Sequence, residues 1–431
     1  MFRLLAEAFK EKDVRQRMFF TLGMLIIFRI GTHITVPGVN ASSLSSISES
    51  GLFNLLNIFG GGALSNFSIF ALGISPFITS SIIMQLLQMD IIPVFSEWAD
   101  QGEVGRRKLN QVTRYMTIAI AFVQALGISL GFNALSDLGL ILNPGIPTYL
   151  MIALFLTAGT MLVVFLSEQI SVNGIGNGSS LIIFSGIVAK VPQDIMNFYS
   201  SEIRNAGDEL NQAIILAAII IVAVILLVIF VVFMETGRRK IPVQYTKRVA
   251  SSEQTAVLPL KVNSAGVIPV IFASSFIMLP QIVLGGLAES YAGATWYEVL
   301  STIFNLQEPV GAAIYALLIV VFTYFYAHIQ VDPEKMSENF QKQGAFIPSI
   351  RPGKDTQNYI SYVLNRLSTV GAFYLMVIAV LPIVASMIWD LPTSLSLGGT
   401  SLLIVVGVAL STKEELEGLL SKRSYLGFIR D

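Results

Sequence analysis

Very few residues in this chain could do chemistry. His33 and His328 are its only imidazoles and it has no cysteine, so thiolate nucleophiles, thiolate metal sites and disulfides are excluded. Both histidines fall near the ends of apolar runs, where an interfacial place suits them better than acid–base work. Gly174-x-Gly176-x-Gly178 is spaced like a loop that cradles phosphate, but the Gly-Lys-Ser/Thr ending is missing and no strand precedes it. No His-Glu-x-x-His pair occurs. Arg29 is the one clear ion inside an apolar run, and it reads as a structural cation bonded to carbonyls of neighbouring helices. Asp90 and Glu168 sit at the ends of such runs. The midplane carboxylate that an ion-coupled carrier needs is therefore missing. These residues predict no enzyme, no metal and no cofactor.

The elements around them are long and greasy. Of 431 residues, 54% are hydrophobic and 13% charged, where a soluble domain has about 25% charged. Mean hydropathy is +0.70. Residues 213–234 contain no polar side chain, and about 20 apolar residues suffice to cross a bilayer core. Runs of similar character lie near 19–36, 70–92, 115–132, 149–167, 175–193, 264–285, 310–329, 368–388 and 398–412. The expectation is an all-α integral membrane protein with ten transmembrane helices. The fifth is the weakest, with three glycines at its start. The first resembles a signal peptide, but lacks a small-residue cleavage site and is too long for an h-region, so it reads as an uncleaved helix.

Charge sets the orientation. Nearly all of the 27 Lys and Arg fall in the amino-terminal segment, the 93–114, 235–262 and 330–367 connections and the carboxyl-terminal tail. With ten spans these share one side, so both termini are cytoplasmic. A miscounted helix would scramble the alternation.

Isoleucine recurs where carboxylates do not. Gly73-Ile74-Ser75-Pro76-Phe77-Ile78 in the second span and Gly266-Val267-Ile268-Pro269-Val270-Ile271 in the seventh both read Gly-x-x-Pro-x-Ile. A serine pair follows each, Ser80-Ser81 and Ser274-Ser275. Five spans separate them, so the two helices cross in opposite senses. That is the mark of inverted-topology halves of five helices, here 1–195 and 196–431. Proline inside a span is expected to kink it, and two kinks at matched places suggest a central pathway. Ile74 and Ile78 share one helix face. A ring of branched aliphatic side chains would exclude water and ions by dewetting.

The chain resembles the SecY family of protein-conducting channels along nearly its whole length. The resemblance is carried by Phe28-Arg29-Ile30-Gly31, Val36-Pro37-Gly38, Gly61-Gly62-Ala63-Leu64-Ser65, and the run from Ser68 to Ile74. Further on it is carried by Gly105-Arg106-Arg107-Lys108, Gly174-Ile175-Gly176-Asn177-Gly178, and Leu260-Lys261-Val262-Asn263. Gly344-Ala345-Phe346-Ile347-Pro348, Ile350-Arg351-Pro352-Gly353 and Gly398-Gly399-Thr400-Ser401-Leu402-Leu403 complete it.

The resemblance implies a passive channel in the bacterial plasma membrane that moves unfolded preproteins outward and releases transmembrane segments sideways into lipid. It places a pore ring on Ile74, Ile78, Ile183, Ile271 and Ile404, with Ser179 at a sixth position where the family often has an aliphatic residue. It places a plug on about 52–66, including Leu52, Phe53, Leu56, Phe59, Gly61 and Gly62. Thr79, Gln124 and Asn263 match its lateral-gate positions, between the second and third helices and the seventh and eighth. Arg106, Arg107, Arg238, Arg239, Lys247, Arg248 and Arg351 match its docking surface for the motor ATPase SecA and for the ribosome. It also implies the small subunits SecE and SecG, signal sequences as ligands, and membrane lipid. The alternative is a secondary transporter for a small solute, against which the absent midplane carboxylates and the long basic loops count. An insertase without a through-pore would lack the plug and ring.

Overall fold

The computed structural model describes residues 2–40, 57, 60–89, 92–134, 141, 145–200, 210–245, 256–291, 293–389 and 398–427. It is mostly helical. The amino-terminal half holds α1 (Phe2–Lys10), α2 (Lys12–Gly31), α3 (Ser75–Leu87), α4 (Pro93–Asp100), α5 (Glu103–Ala134), α6 (Ile146–Asn173) and α7 (Gly178–Phe198). The carboxyl-terminal half holds α8 (Leu210–Thr236), α9 (Ile268–Tyr291), α10 (Thr295–Phe304), α11 (Pro309–Gln330), α12 (Pro333–Gln343), α13 (Lys354–Trp389) and α14 (Gly398–Gly427). Among the described residues, six helices are long and apolar enough to cross a membrane: α5, α6, α8, α9, α11 and α13. The shorter α3 is apolar as well. In lipid a helix satisfies every backbone donor and acceptor within itself, which is why these runs fold this way.

The helices are not covered equally. Only 11% of the spanning window of α8 is buried, against 61% for α9. A helix apolar on every side needs no protein cover where the surroundings are hydrocarbon. The main core draws on α2, α3, α5, α6, α7, α9, α11, α13 and α14, and on α8 through Val231.

Two expectations change. In the runs 70–92 and 264–285 the prolines of the repeat do not interrupt a helix. Each opens with turns, passes a left-handed glycine (Gly73, φ 56°; Gly266, φ 63°) and only then begins its helix, at Ser75 and at Ile268. Pro76 and Pro269 thus sit in first turns, where the missing N–H is one the helix could not have bonded anyway. The fold is also not wholly α. Strands β1 (Arg238–Tyr245), β2 (Ala256–Lys261) and β3 (Ala345–Phe346) form an antiparallel sheet in the order β2-β1-β3. Arg238 pairs with Lys261, and Gln244 with Phe346. The sheet lies in the two basic connections, 235–262 and 330–367, where a hairpin can bury one face on its own small core of Ile241, Leu260, Ile347 and Ile360.

Candidate functional site

The five isoleucines come from both halves. Ile74 caps the start of α3 and Ile78 lies one turn on; Ile183 comes from α7, Ile271 from α9 and Ile404 from α14. All five are buried in the same continuous apolar core. Ser179 is set apart from them. It lies in the first turn of α7, half-buried, with its hydroxyl 2.8 Å from that of Ser167 on α6. A polar group there finds a partner at the helix interface.

Both α3 and α5 meet α9, and α5 packs along it. A Cβ on Gly127 of α5 would press on Ile282 of α9; small residues let helix backbones approach closely in membranes. Thr79, Gln124 and Asn263 are all buried. No hydrogen bond among the described residues joins the three. Thr79 Oγ1 donates to Ser75 O in its own helix, at 3.1 Å. Gln124 Oε1 has no partner, and neither has Ser275 Oγ of α9. Asn263 Nδ2 donates to Glu235 Oε1 at 2.7 Å and to Gly266 O at 3.0 Å. Glu235, at the end of α8, was not signalled by the sequence, because nothing local marks its partner 28 residues away.

Leu52, Phe53, Leu56 and Phe59 lie outside the described residues, as do Lys247 and Arg248. The described part of the 52–66 segment is tied down by α2. Arg29 Nη1 donates to Gly61 O at 2.8 Å, so this cation does bond a carbonyl, though one in a loop. Asn66 Nδ2 donates to Thr32 O at 3.3 Å. A Cβ on Gly186 of α7 would overlap the backbone of Gly61, so Gly61 lies where chain passes against chain, beside Gly62. Both have positive φ. Leu64–Asn66 form a 3₁₀ turn.

The glycine loop 174–178 holds no room for phosphate, because its donors are spoken for. Ile175 N donates to Thr21 Oγ1, Gly176 N to Glu415 Oε2 and Gly178 N to Ser171 Oγ, at 2.9 to 3.0 Å. A carboxylate of α14 therefore fills the anion's place. Gly127-Ile128-Ser129-Leu130-Gly131 has nucleophile-elbow spacing, but it is mid-helix, with Ser129 Oγ donating to Ala125 O at 2.7 Å.

The basic residues meet solvent. Arg106 and Arg107 lie near the start of α5, Arg238 and Arg239 begin β1, and Arg351 lies between β3 and α13; all are exposed. Arg107 pairs with Glu103 at 2.9 Å, a contact of little energy at such exposure. Glu414 of α14 accepts from Arg238 and from Lys261, each at 2.6 Å, and so ties the β1–β2 hairpin to α14. Burial opposes its ionisation, but the bond and charge from Lys261, and then those from Arg238, hold its carboxyl below the ordinary value.

Comparison with known proteins fits this arrangement. Residues 68–413 match the SecY family. Protein translocase subunit SecY 1 of Lactobacillus kefiranofaciens subsp. kefiranofaciens is 51% identical over 431 residues, covering 100% of each chain. Protein translocase subunit SecY of Bacillus subtilis (strain 168) is 49% identical over 435 residues, again across 100% of both. The fold is similar to the solved structure of a protein conducting channel, with TM-score 0.67, 19% identity and coverage of 93% of this chain and 91% of that one. It is also similar to Sec61 in the canine ribosome-channel complex from the endoplasmic reticulum, with TM-score 0.65, 19% identity and coverage of 93% and 91%.

Proposed function

This chain belongs to the SecY family, and on that premise we propose that it is a protein-conducting channel of the bacterial plasma membrane. It passes unfolded preproteins outward and releases transmembrane segments sideways into lipid. The observation that carries the reading is the joint burial of Ile74, Ile78, Ile183, Ile271 and Ile404, drawn from both halves into one apolar core. A solute carrier would place charged or strongly polar groups there. Branched aliphatic side chains exclude ions when the channel rests and yield around a chain of any sequence when it works.

The finer reading follows the same logic. Ten helices cross the membrane in two inverted halves, 1–195 and 196–431, with both termini cytoplasmic. The 52–66 segment is the plug, and the Arg29–Gly61 bond keeps its glycine end in place. The α3–α5 and α9–α11 seam is the lateral gate. Its buried Gln124 and Ser275 lack partners at the seam, and polar contacts between membrane helices contribute only about 0.6 to 2 kcal/mol each, so an apolar signal helix competes with closure. The exposed arginines at 106, 107, 238, 239 and 351 dock a motor ATPase or ribosome, and SecE and SecG complete the assembly. The channel holds no cofactor and catalyses no reaction; its partners or the membrane potential supply the energy.

The test is conductance. Ile78→Gly with Ile271→Gly should raise ion leak across planar bilayers well above that of the unaltered channel. An unchanged leak would show these to be ordinary core residues. A preprotein trapped in transit should crosslink to positions 74, 183 and 404, and the absence of all three crosslinks would remove the pore assignment.

A further inference from the structure

The turn that carries Arg351 is held more firmly than an exposed arginine needs. It runs from Ile347 to Gly353, between β3 and α13. Ser349 has φ 67°, a left-handed conformation that a serine seldom adopts. Ile350 N donates to Ile347 O at 3.1 Å, and the Ile350 side chain packs onto the small core of Ile241, Leu260, Ile347 and Ile360. Arg351 itself points into solvent. Its own carbonyl and that of Gly353, two residues on, are gripped. Thr356 Oγ1, on the first turn of α13, donates to Arg351 O at 2.8 Å. Ser337 Oγ, on α12, donates to Gly353 O at 2.6 Å. These hydroxyls are almost fully buried, Ser337 at 5% and Thr356 at 1% exposure.

We propose that Ser337 and Thr356 are positioning residues for Arg351, holding its turn so that the guanidinium is presented ready-ordered to an acidic protein surface. A strained residue, an apolar anchor and two buried clamps meet on one short turn; such strain persists only where the surroundings over-determine it, and it gathers at functional sites. A binding group held by side chains that are themselves fixed loses less freedom on association. The sheet adds to this. Because β3 pairs with the far end of β1, the Arg351 turn and the strand carrying Arg238 and Arg239 belong to one folded unit. This inference rests on the reading of Arg351 as a contact to the motor.

The experiment uses the full-length channel with its small subunits in lipid, and measures both motor affinity and motor-driven preprotein export. Ser337→Ala and Thr356→Val should each weaken motor binding roughly 3- to 10-fold, the span of one lost hydrogen bond. Ser337→Thr and Thr356→Ser keep a hydroxyl and should keep affinity. In an Arg351→Ala background the same hydroxyl deletions should have no further effect on binding. Equal losses with and without Arg351 would mean that the hydroxyls merely support the fold, and would overturn the proposal, as would unchanged affinity in both deletions. If Arg351→Ala alone leaves binding and export intact, the docking assignment fails first and takes this inference with it.

Discussion

The segments 73–78 and 266–271 share a backbone and differ in what holds it. Both turn at a left-handed glycine, both place proline in the first turn of a helix, and both bury an isoleucine of the core. The anchor of the first copy is apolar. Phe70 stacks on Phe28 of α2 with centroids 5.8 Å apart, and the Ile69 carbonyl lies so close to Gly159 of α6 that a Cβ there would overlap it. The anchor of the second is polar, with Asn263 bridging Glu235 and the Gly266 carbonyl. A repeated motif can therefore set the same local turn while each half fastens it by different physics. Packing resists small displacements steeply, whereas two hydrogen bonds can be exchanged for others.

Four measurements would break or sharpen that contrast. The largest effect belongs to Gly159→Ala, whose new methyl meets backbone that cannot step aside. It should cost about 3 kcal/mol, seen as a lower midpoint in thermal unfolding of the purified protein; full stability would mean that the first anchor is looser than its packing. Asn263→Ala comes next, at about 1.5 kcal/mol, because Glu235 and the Gly266 carbonyl both lose a donor. Gly266→Ala has open space around it, so only left-handed strain remains, about 1 kcal/mol. A cost equal to that of Gly159→Ala would contradict the distinction between the two anchors.

The smallest effect concerns pH. The Glu414 carboxyl is held below its ordinary value of 4.5, so it binds protons less readily folded than unfolded. Its contribution is complete above the ordinary value and is lost as pH falls through the lowered one. Hydrogen-exchange protection of the β1–β2 hairpin should therefore fall below about pH 4.5, and Glu414→Gln should show weak protection with little of that pH dependence. Partial exposure keeps the change modest.

Much of the plan was legible because hydrocarbon is an undemanding solvent with strict rules. Long runs such as 213–234 could only become helices, and the repeat marked two places where the same turn opens a helix. The role of the prolines was not legible, since the same residue starts or kinks a helix according to the chain before it. Gly73 and Gly266 decide the matter by turning left-handed, and glycine permits that conformation without requiring it. The sheet was hidden for a similar reason. The basic loops declare their charge, but β1 and β3 pair across about a hundred residues.

The candidate site divides along the same line. Residue type and spacing alone determined the long apolar helices, the isoleucines that recur in them, the basic character of the connections and the absence of thiol chemistry. Only the folded chain decided that Ser179 turns to Ser167, that Arg29 reaches Gly61, that Glu415 fills the glycine loop and that Ser337 and Thr356 grip the Arg351 turn. Solvent preference acts on each residue by itself and so can be read along the chain. A hydrogen bond needs two groups within about 3 Å, and which distant residues come that close is settled only when the helices pack.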